Sequence, residues 1–289
     1  MNNNIALEVK DLNKEYIKGN KALDNVSFSI KKGEIVGFLG PNGAGKSTTM
    51  NIITGYLLKT SGEIYIDGEL FDGINPKIKK KIGYLPETPP LYNEMTVIEY
   101  LNFVFELKQV KLNKAEHIDD IIKKTSLETH QNRLIRNLSK GYKQRVGIAG
   151  ALIGDPEILI FDEPTIGLDP KQIIEIRELI KELAVYQTVI LSSHIMQEIE
   201  SIATKVIVIN KGNIVANGTQ KSLFAKSSKT SGEIVVEVDS DIDTVVSKIE
   251  KIPGVKSVNI KNSLEDLFLD LTKDVPPEDN DTKEEEVSE

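Results

Sequence analysis

Eight residues, Gly40, Pro41, Asn42, Gly43, Ala44, Gly45, Lys46 and Ser47, constrain this chain more tightly than any other stretch. They stand between the apolar run EIVGFL and the helix-like run KSTTMNIITGYL, so a glycine-rich turn joins a strand to a helix. Glycines at that spacing let successive backbone N–H groups turn inward, and the helix start adds the positive end of its dipole. The result is a cradle for phosphate. Lys46 is placed to reach the β- and γ-phosphates of a nucleotide, Ser47 offers a hydroxyl to Mg2+, and Thr48 continues the helix start.

Sheets of this kind gather their chemistry at the carboxyl ends of their strands. Two further strand ends fit. The apolar run ILIFD closes on Asp162 and is followed at once by Glu163. Successive side chains of a strand point to opposite sides, so Asp162 is expected to support the metal ion and Glu163 to face the attacking water as a general base. His194 follows the run VILSS directly, which predicts a hydrogen bond to the γ-phosphate.

Around these ends the pattern is α/β. IALEVKDL and ALDNVSFSI alternate as antiparallel strands near the N-terminus, and GEIYIDG adds a further strand that turns at Asp67-Gly68. From about Thr88 to Asn137 the pattern becomes helical. VIEYLNFVFELKQV places Val97, Tyr100, Leu101, Val104 and Leu107 on one stripe, and HIDDIIKKTSL places Ile118, Ile121 and Ile122 on another. We read a helical insertion at about 88–154, after which strands and helices alternate again to KVIVIN and its turn at Lys211-Gly212. Past Gly218 the composition drifts to Lys and Ser, so 223–232 is expected to be a linker. Beyond it EIVVEV, DTVVSKIEKI, GVKSVNI and SLEDLFLDLT predict a small β-α-β-α unit over 233–273, an α+β appendage to the larger body over 1–222.

Charge and composition exclude several roles. The net charge of −8 is concentrated in residues 274–289, which hold eight acidic residues against Lys283 alone, so the remaining 273 residues carry only −1. A body this close to neutral does not offer the excess of Lys and Arg that drives counterion release, and nucleic acid is not expected as a partner. The acidic tail lacks apolar surface and is expected to be disordered. There are no cysteines, so disulfides and thiolate metal sites are absent and a cytosolic setting is permitted. The start MNNNIALEVK lacks the pattern of a secretion signal, and the longest apolar runs fall well short of the ~20 residues that span a bilayer. Work at a membrane is therefore expected to go through a partner.

Taken in order, GPNGAGKST, YLPE, NLSKGYKQR, ILIFDEPTIGLDP and the histidine of SSHIMQEIE resemble the motif series of the ATPase subunit of an ABC transporter, over residues 5 to about 220. The resemblance implies a P-loop NTPase core with an N-terminal antiparallel β subdomain and a helical insertion. It implies ATP and Mg2+ as ligands, a second ATPase subunit, expected as a homodimer, and integral membrane permease subunits that hold the protein at the cytoplasmic face of the membrane. By the same resemblance Tyr16 stacks on adenine, and Glu87 senses Mg2+ and the attacking water from a position where the family usually has glutamine. Ser139, Lys140 and Gly141 form a helix start aimed at the ATP of the other subunit, and Asp169 couples the two sites. The family signature is usually LSGGQ, so Lys140 replaces a glycine and Tyr142 a glutamine. A shallow groove near 88–105 is expected to receive a short helix of the membrane subunit. The ending SLEDLFLDLT resembles that of export-type, multidrug-like cassettes, which points to an exporter. A soluble ABC-type ATPase acting outside transport is the alternative, and co-purification of a membrane subunit separates the two.

Overall fold

The computed structural model describes residues 4–17, 19–226, 241–255 and 258. The chain divides into two compact units, residues 1–228 and 229–289.

In the first unit the strands are β1 (Ile5–Ile17), β2 (Asn20–Lys31), β3 (Ile35–Leu39), β4 (Ser61–Ile66), β5 (Glu69–Leu70), β6 (Ile82–Leu85), β7 (Ile158–Asp162), β8 (Thr188–Ser193), β9 (Lys205–Asn210) and β10 (Asn213–Gly218). The helices are α1 (Lys46–Ile53), α2 (Pro76–Lys79), α3 (Val97–Leu107), α4 (Lys114–Lys124), α5 (Lys140–Leu152), α6 (Pro170–Leu183), α7 (Met196–Ile202) and α8 (Gln220–Lys226). Two sheets result. One is antiparallel in the order β2-β1-β4-β5; the other runs β10-β9-β3-β8-β7-β6, parallel throughout except for β10.

The parallel strands are buried on both faces, which is why their sequences read as unbroken apolar runs. Alternation then divides the core. Ile158 and Ile160 of β7, with Val36 and Phe38 of β3, pack toward the antiparallel sheet beside Leu7, Leu23 and Phe28. Leu159 and Phe161 face the other way, toward α3, α4 and α5, with Val97, Leu101, Ile118 and Val146. Gly37 lets α7 lie directly on β3, since a methyl carbon there would overlap Ile199.

Local chemistry fixes the helix ends. Thr96 and Glu99 form a capping box at α3, and the Thr96 amide holds the Glu99 carboxyl below the usual carboxylate range. At the far end of α5 the Lys108 ammonium donates to the carbonyls of Gly150 and Ile153 at 3.0 and 2.9 Å, while burial pulls its pKa down to about 8.

Three details differ from the sequence expectation. Leu107 does not lie on the buried stripe of α3: it is 68% exposed, and Phe105 takes the inward place. The helix stops at Leu107, where the chain turns through Gln109 with φ +49°, so the last apolar residue overshoots the packed surface. The short strand β6 and the hairpin partner β10 belong to the sheet although neither was predicted. α8 runs to Lys226, into the stretch expected as linker.

Of the second unit the structure describes one helix, α9 (Ile242–Ile249), capped by Asp241, whose carboxylate accepts from the Thr244 amide at 3.2 Å. EIVVEV, most of GVKSVNI, SLEDLFLDLT and the acidic tail lie outside the described residues.

Candidate functional site

Strand order brings the motifs together. β3 lies beside β8 and β8 beside β7, with Leu39 opposite Ser193 and Asp162 opposite Ser192. The loop after β3, the residue after β8 and the residue after β7 therefore meet at one edge, although Lys46, Glu163 and His194 are far apart in sequence.

The loop at 40–45 is held by close packing. A methyl carbon on Gly40 would overlap the carbonyl oxygen of Ile209, and one on Gly45 would sit 2.7 Å from Leu23 Cδ2. Gly45 has φ +111° as it enters α1, a conformation open to glycine. The Ala44 amide donates to Pro41 O at 3.1 Å, and Ala44 O accepts from Gly212 N at 2.9 Å. No side chain caps α1, so its first amides point from the loop with the dipole unopposed. Lys46 is 6% exposed, and its ammonium donates to Gly40 O at 2.8 Å.

Across the cleft, Glu163 Oε1 lies 3.5 Å from Lys46 Nζ, and Oε2 lies 2.9 Å from His194 Nδ1. The carboxylate is thus suspended between a cation and an imidazole. Its backbone adopts φ +51°, which is uncommon for a residue with a side chain. That turn is stabilised by the Glu163 amide, which donates to Ser192 Oγ at 3.0 Å and Ser192 O at 3.2 Å. Ser192 Oγ in turn donates to Asp162 Oδ1. One buried hydroxyl therefore fixes both acidic residues, and the left-handed turn, rather than strand alternation alone, aims them apart.

Lys46, Ser47, Thr48, Glu87, Glu163 and His194 line one cavity of about 310 Å³, with Asn42 and Gly43 at its wall. Tyr16 stands at its margin: the ring is 59% exposed, and its hydroxyl is 3.4 Å from Thr48 Oγ1. The residues of NLSKGYKQR are elsewhere. Ser139 caps α5 and accepts from the Tyr142 amide at 3.4 Å, and Gly141 is buried against Gln172. Asp169 caps α6 and accepts from the Gln172 amide at 2.8 Å. Ser139, Lys140, Gly141 and Asp169 take no part in lining the Lys46 cavity of their own chain.

A family model described as ABC transporter matches residues 23–166. The bacitracin transport ATP-binding protein BcrA of Bacillus licheniformis is 40% identical over 211 residues, covering 72% of this chain and 68% of that protein. The chain belongs to the ABC transporter ATPase family. Solved cassettes share its fold. cbiO1 from Clostridium perfringens, part of the ABC transporter complex cbiONQ, matches with a TM-score of 0.70 at 30% identity, over 86% of this chain and 96% of its own. The dimeric post-hydrolysis state of the cassette MJ0796, bound to ADP and Pi, matches with a TM-score of 0.67 at 30% identity, over 74% of this chain and 98% of its own. This cassette is an ATPase, and it serves membrane transport. Among the described residues no helix is long and apolar enough to cross a membrane.

The cassette's cleft fits a nucleotide triphosphate. Uncapped amides at α1, the Lys46 ammonium and the hydroxyls of Ser47 and Thr48 face one cavity, which is the donor set that polyphosphate needs. The metal donors fit Mg2+ as well. Among the described residues there is no group of three His, Cys, Asp or Glu able to hold an ion, whereas Mg2+ is usually held by one or two carboxylates or hydroxyls together with substrate phosphates. Ser47 supplies such a hard oxygen on the cavity wall, with Glu87 and Glu163 beside it; Asp162, 3% exposed and bonded to Ser192 Oγ, stands one residue behind that wall.

Ser192 is the site residue that the sequence reading missed. Its signal was present: two serines end the apolar strand TVILSS, where a buried strand would otherwise continue with branched apolar residues. Tyr84, in the strand before Glu87, is another. Burial and the nearby Asp162 carboxylate hold its hydroxyl well above the usual tyrosine range, so it stays neutral and donates to Asn51 Oδ1 at 2.9 Å.

Proposed function

We propose that this cassette powers export across a membrane as one of two like subunits that close on two ATP molecules and reopen after hydrolysis. Each ATP is enclosed by the 40–48 loop of one copy and by Ser139, Lys140 and Gly141 of the other. The observation that carries this reading is the suspension of Glu163 between Lys46 and His194 at the mouth of the phosphate loop.

In this reading Lys46 and the α1 amides bind the β- and γ-phosphates and offset charge on the transferred phosphoryl group. Ser47 and Asp162 hold Mg2+, which neutralises phosphate charge when bound. Glu163 takes a proton from, or orients, the attacking water. His194 holds the γ-phosphate, and its contact with Glu163 gives the carboxylate one orientation. Tyr16 stacks on adenine, its exposed ring beside Thr48 supporting that role. Glu87, on the cavity wall, reports the state of the metal and water toward the groove at 88–105, where a membrane permease subunit docks at the cytoplasmic face. Asp169 links one site to the other. The position of the signature outside its own chain's cavity supports a contribution in trans. The small C-terminal unit, residues 233–273, is an accessory domain of the kind that export cassettes carry.

Glu163→Gln tests the assignment. Loss of a general base lowers turnover by roughly 10²–10⁴-fold. ATP binding, which uses Lys46 and the loop, is expected to remain. Normal turnover in Glu163→Gln would remove the carboxylate from the reaction.

A further inference from the structure

A second cavity, of about 260 Å³, opens between α4 and the C-terminal ends of α5 and α6, and it shares no lining residue with the Lys46 cleft. Its floor is apolar: Ile121, Leu152, Leu179 and Leu183 line it and are each no more than 4% exposed. Gln187 lines the same space at 8% exposed, and its amide is unanswered. The Oε1 atom is shut from solvent with no hydrogen-bond partner, and among the described residues Nε2 has none either. A buried polar group in that state costs about 1–3 kcal/mol, and because an amide can be turned end for end, a donor or an acceptor brought by a ligand would satisfy it.

The rim above that floor is acidic. Lys124 is committed to Asp120 at 2.7 Å, which leaves Asp155 and Glu182 as exposed carboxylates that form no ion pair among the described residues. His117 does not offset them: its Nε2 accepts the Gly154 amide at 3.0 Å, and burial lowers its pKa, so the ring stays neutral near neutral pH. Tyr186, 80% exposed, adds an aromatic face of the kind that attracts cations. A bare metal ion does not suit the set, since among the described residues no three His, Cys, Asp or Glu are grouped to hold one. We propose that this cavity binds a small organic cation, an ammonium or guanidinium on a short apolar stem, with the stem on the leucine floor, the charge against Asp155 and Glu182, and an N–H donated to the Gln187 amide. The space is smaller than the ~300–1,000 Å³ of pockets for drug-sized ligands, so the occupant is small.

Isothermal titration of the full chain with n-butylguanidinium tests it, against n-butylurea, which has the same shape and no charge. The cation is expected to bind saturably and at least roughly tenfold more tightly than the urea, the scale of one charge-assisted hydrogen bond. Asp155→Asn combined with Glu182→Gln removes the rim charge at two exposed positions, and asparagine tolerates the φ of +53° at residue 155. This double variant is expected to lose the preference for the cation. Gln187→Leu is expected to weaken binding several-fold while the melting temperature holds or rises, because it removes an amide that has no partner. A parent that shows no saturable binding, that takes the urea as tightly as the cation, or whose affinity survives both the rim changes and Gln187→Leu overturns the assignment. The blocked peptide acetyl-Gly-Arg-Gly-amide presents the same guanidinium on a polypeptide. Weaker binding of the peptide supports a free cation; tighter binding overturns it and gives the cavity to an arginine side chain of a partner.

Discussion

Ser192→Ala removes one oxygen, and two contacts depend on it. The hydroxyl is fully buried, donates to Asp162 Oδ1 and accepts from the Glu163 amide at 3.0 Å. Without it Asp162, itself 3% exposed, loses a donor that water cannot easily replace, and a hydrogen bond to a charged group is worth about 1.5–3 kcal/mol. The Glu163 amide keeps only Ser192 O at 3.2 Å, so the left-handed turn loosens without collapsing. For a unit of this size each kcal/mol moves the melting temperature by about 2–4 °C, which gives a fall of about 3–12 °C by calorimetry. Turnover should fall as well, roughly tenfold, with less change in the KM for ATP, because Lys46 and the loop amides are untouched while Asp162 and Glu163, the carboxylates proposed to serve metal and water, are displaced. A drop in melting temperature with unchanged kcat would confine Ser192 to the fold. Parental values for both would refute the argument that one hydroxyl sets both acids.

Gly40→Ala must push the phosphate loop off the Ile209 carbonyl, and backbone does not yield as a flexible side chain would. A strain of about 1–3 kcal/mol at the loop predicts nucleotide affinity lower by roughly ten- to hundredfold, measurable with a fluorescent ATP analogue; unchanged affinity would mean the loop can shift freely. His117 provides a pH handle on stability. Its Nε2 accepts the Gly154 amide at 3.0 Å, and burial lowers its pKa, so the fold favours the neutral ring. The unfolded chain takes up the proton first, near pH ~6.5, so this contribution is complete above that value and is lost as pH falls through the lower folded pKa. His117→Gln should therefore flatten the decline in melting temperature between pH ~7.5 and ~5.5, with His130, also lowered by burial, supplying the remainder. An unchanged slope would place the acid sensitivity elsewhere.

The phosphate loop was legible because all its information is local: eight consecutive residues, a strand before and a helix after. Glu163 and His194 were legible for a weaker reason, the rule that such sites collect at the carboxyl ends of strands, and β3-β8-β7 adjacency makes the rule work here. Ser192 was hidden because its role depends on register; only the pairing of Asp162 with Ser192 turns a serine at a strand end into a carboxylate donor. The φ of +51° at Glu163 was hidden too, since nothing in DEPT distinguishes a residue that turns left-handed from one that continues the strand. Leu107 misled for the opposite reason: periodicity extends a stripe indefinitely, and the place where a helix runs out of neighbours is a tertiary fact. β6 and β10 are four and six residues long, and NIVANG turns inward only Ile214, Ala216 and Gly218, two of them too small to mark a strand by an apolar alternation.

Where α5 and α6 begin, the fold carries a relation that neither sequence motif displays alone. Ser139 caps one helix and Asp169 the other, and each helix start places a side chain on a glycine of the neighbouring motif. Gln172 fills the space over Gly141, with its Cδ 2.6 Å from where a methyl carbon would stand, and Lys140 fills the space over Gly167. Gly167 is four residues from Glu163, whose carboxylate contacts Lys46 and His194. Both contacts are made by the far ends of side chains, Gln172 at Gly141 and the exposed Lys140 at Gly167, so the two helix starts meet through groups that can swing aside rather than through backbone. The glycines leave room for those two side chains: a methyl group at 141 or 167 would first have to push Gln172 or Lys140 aside, while Glu163 stays held by Lys46, His194 and Ser192.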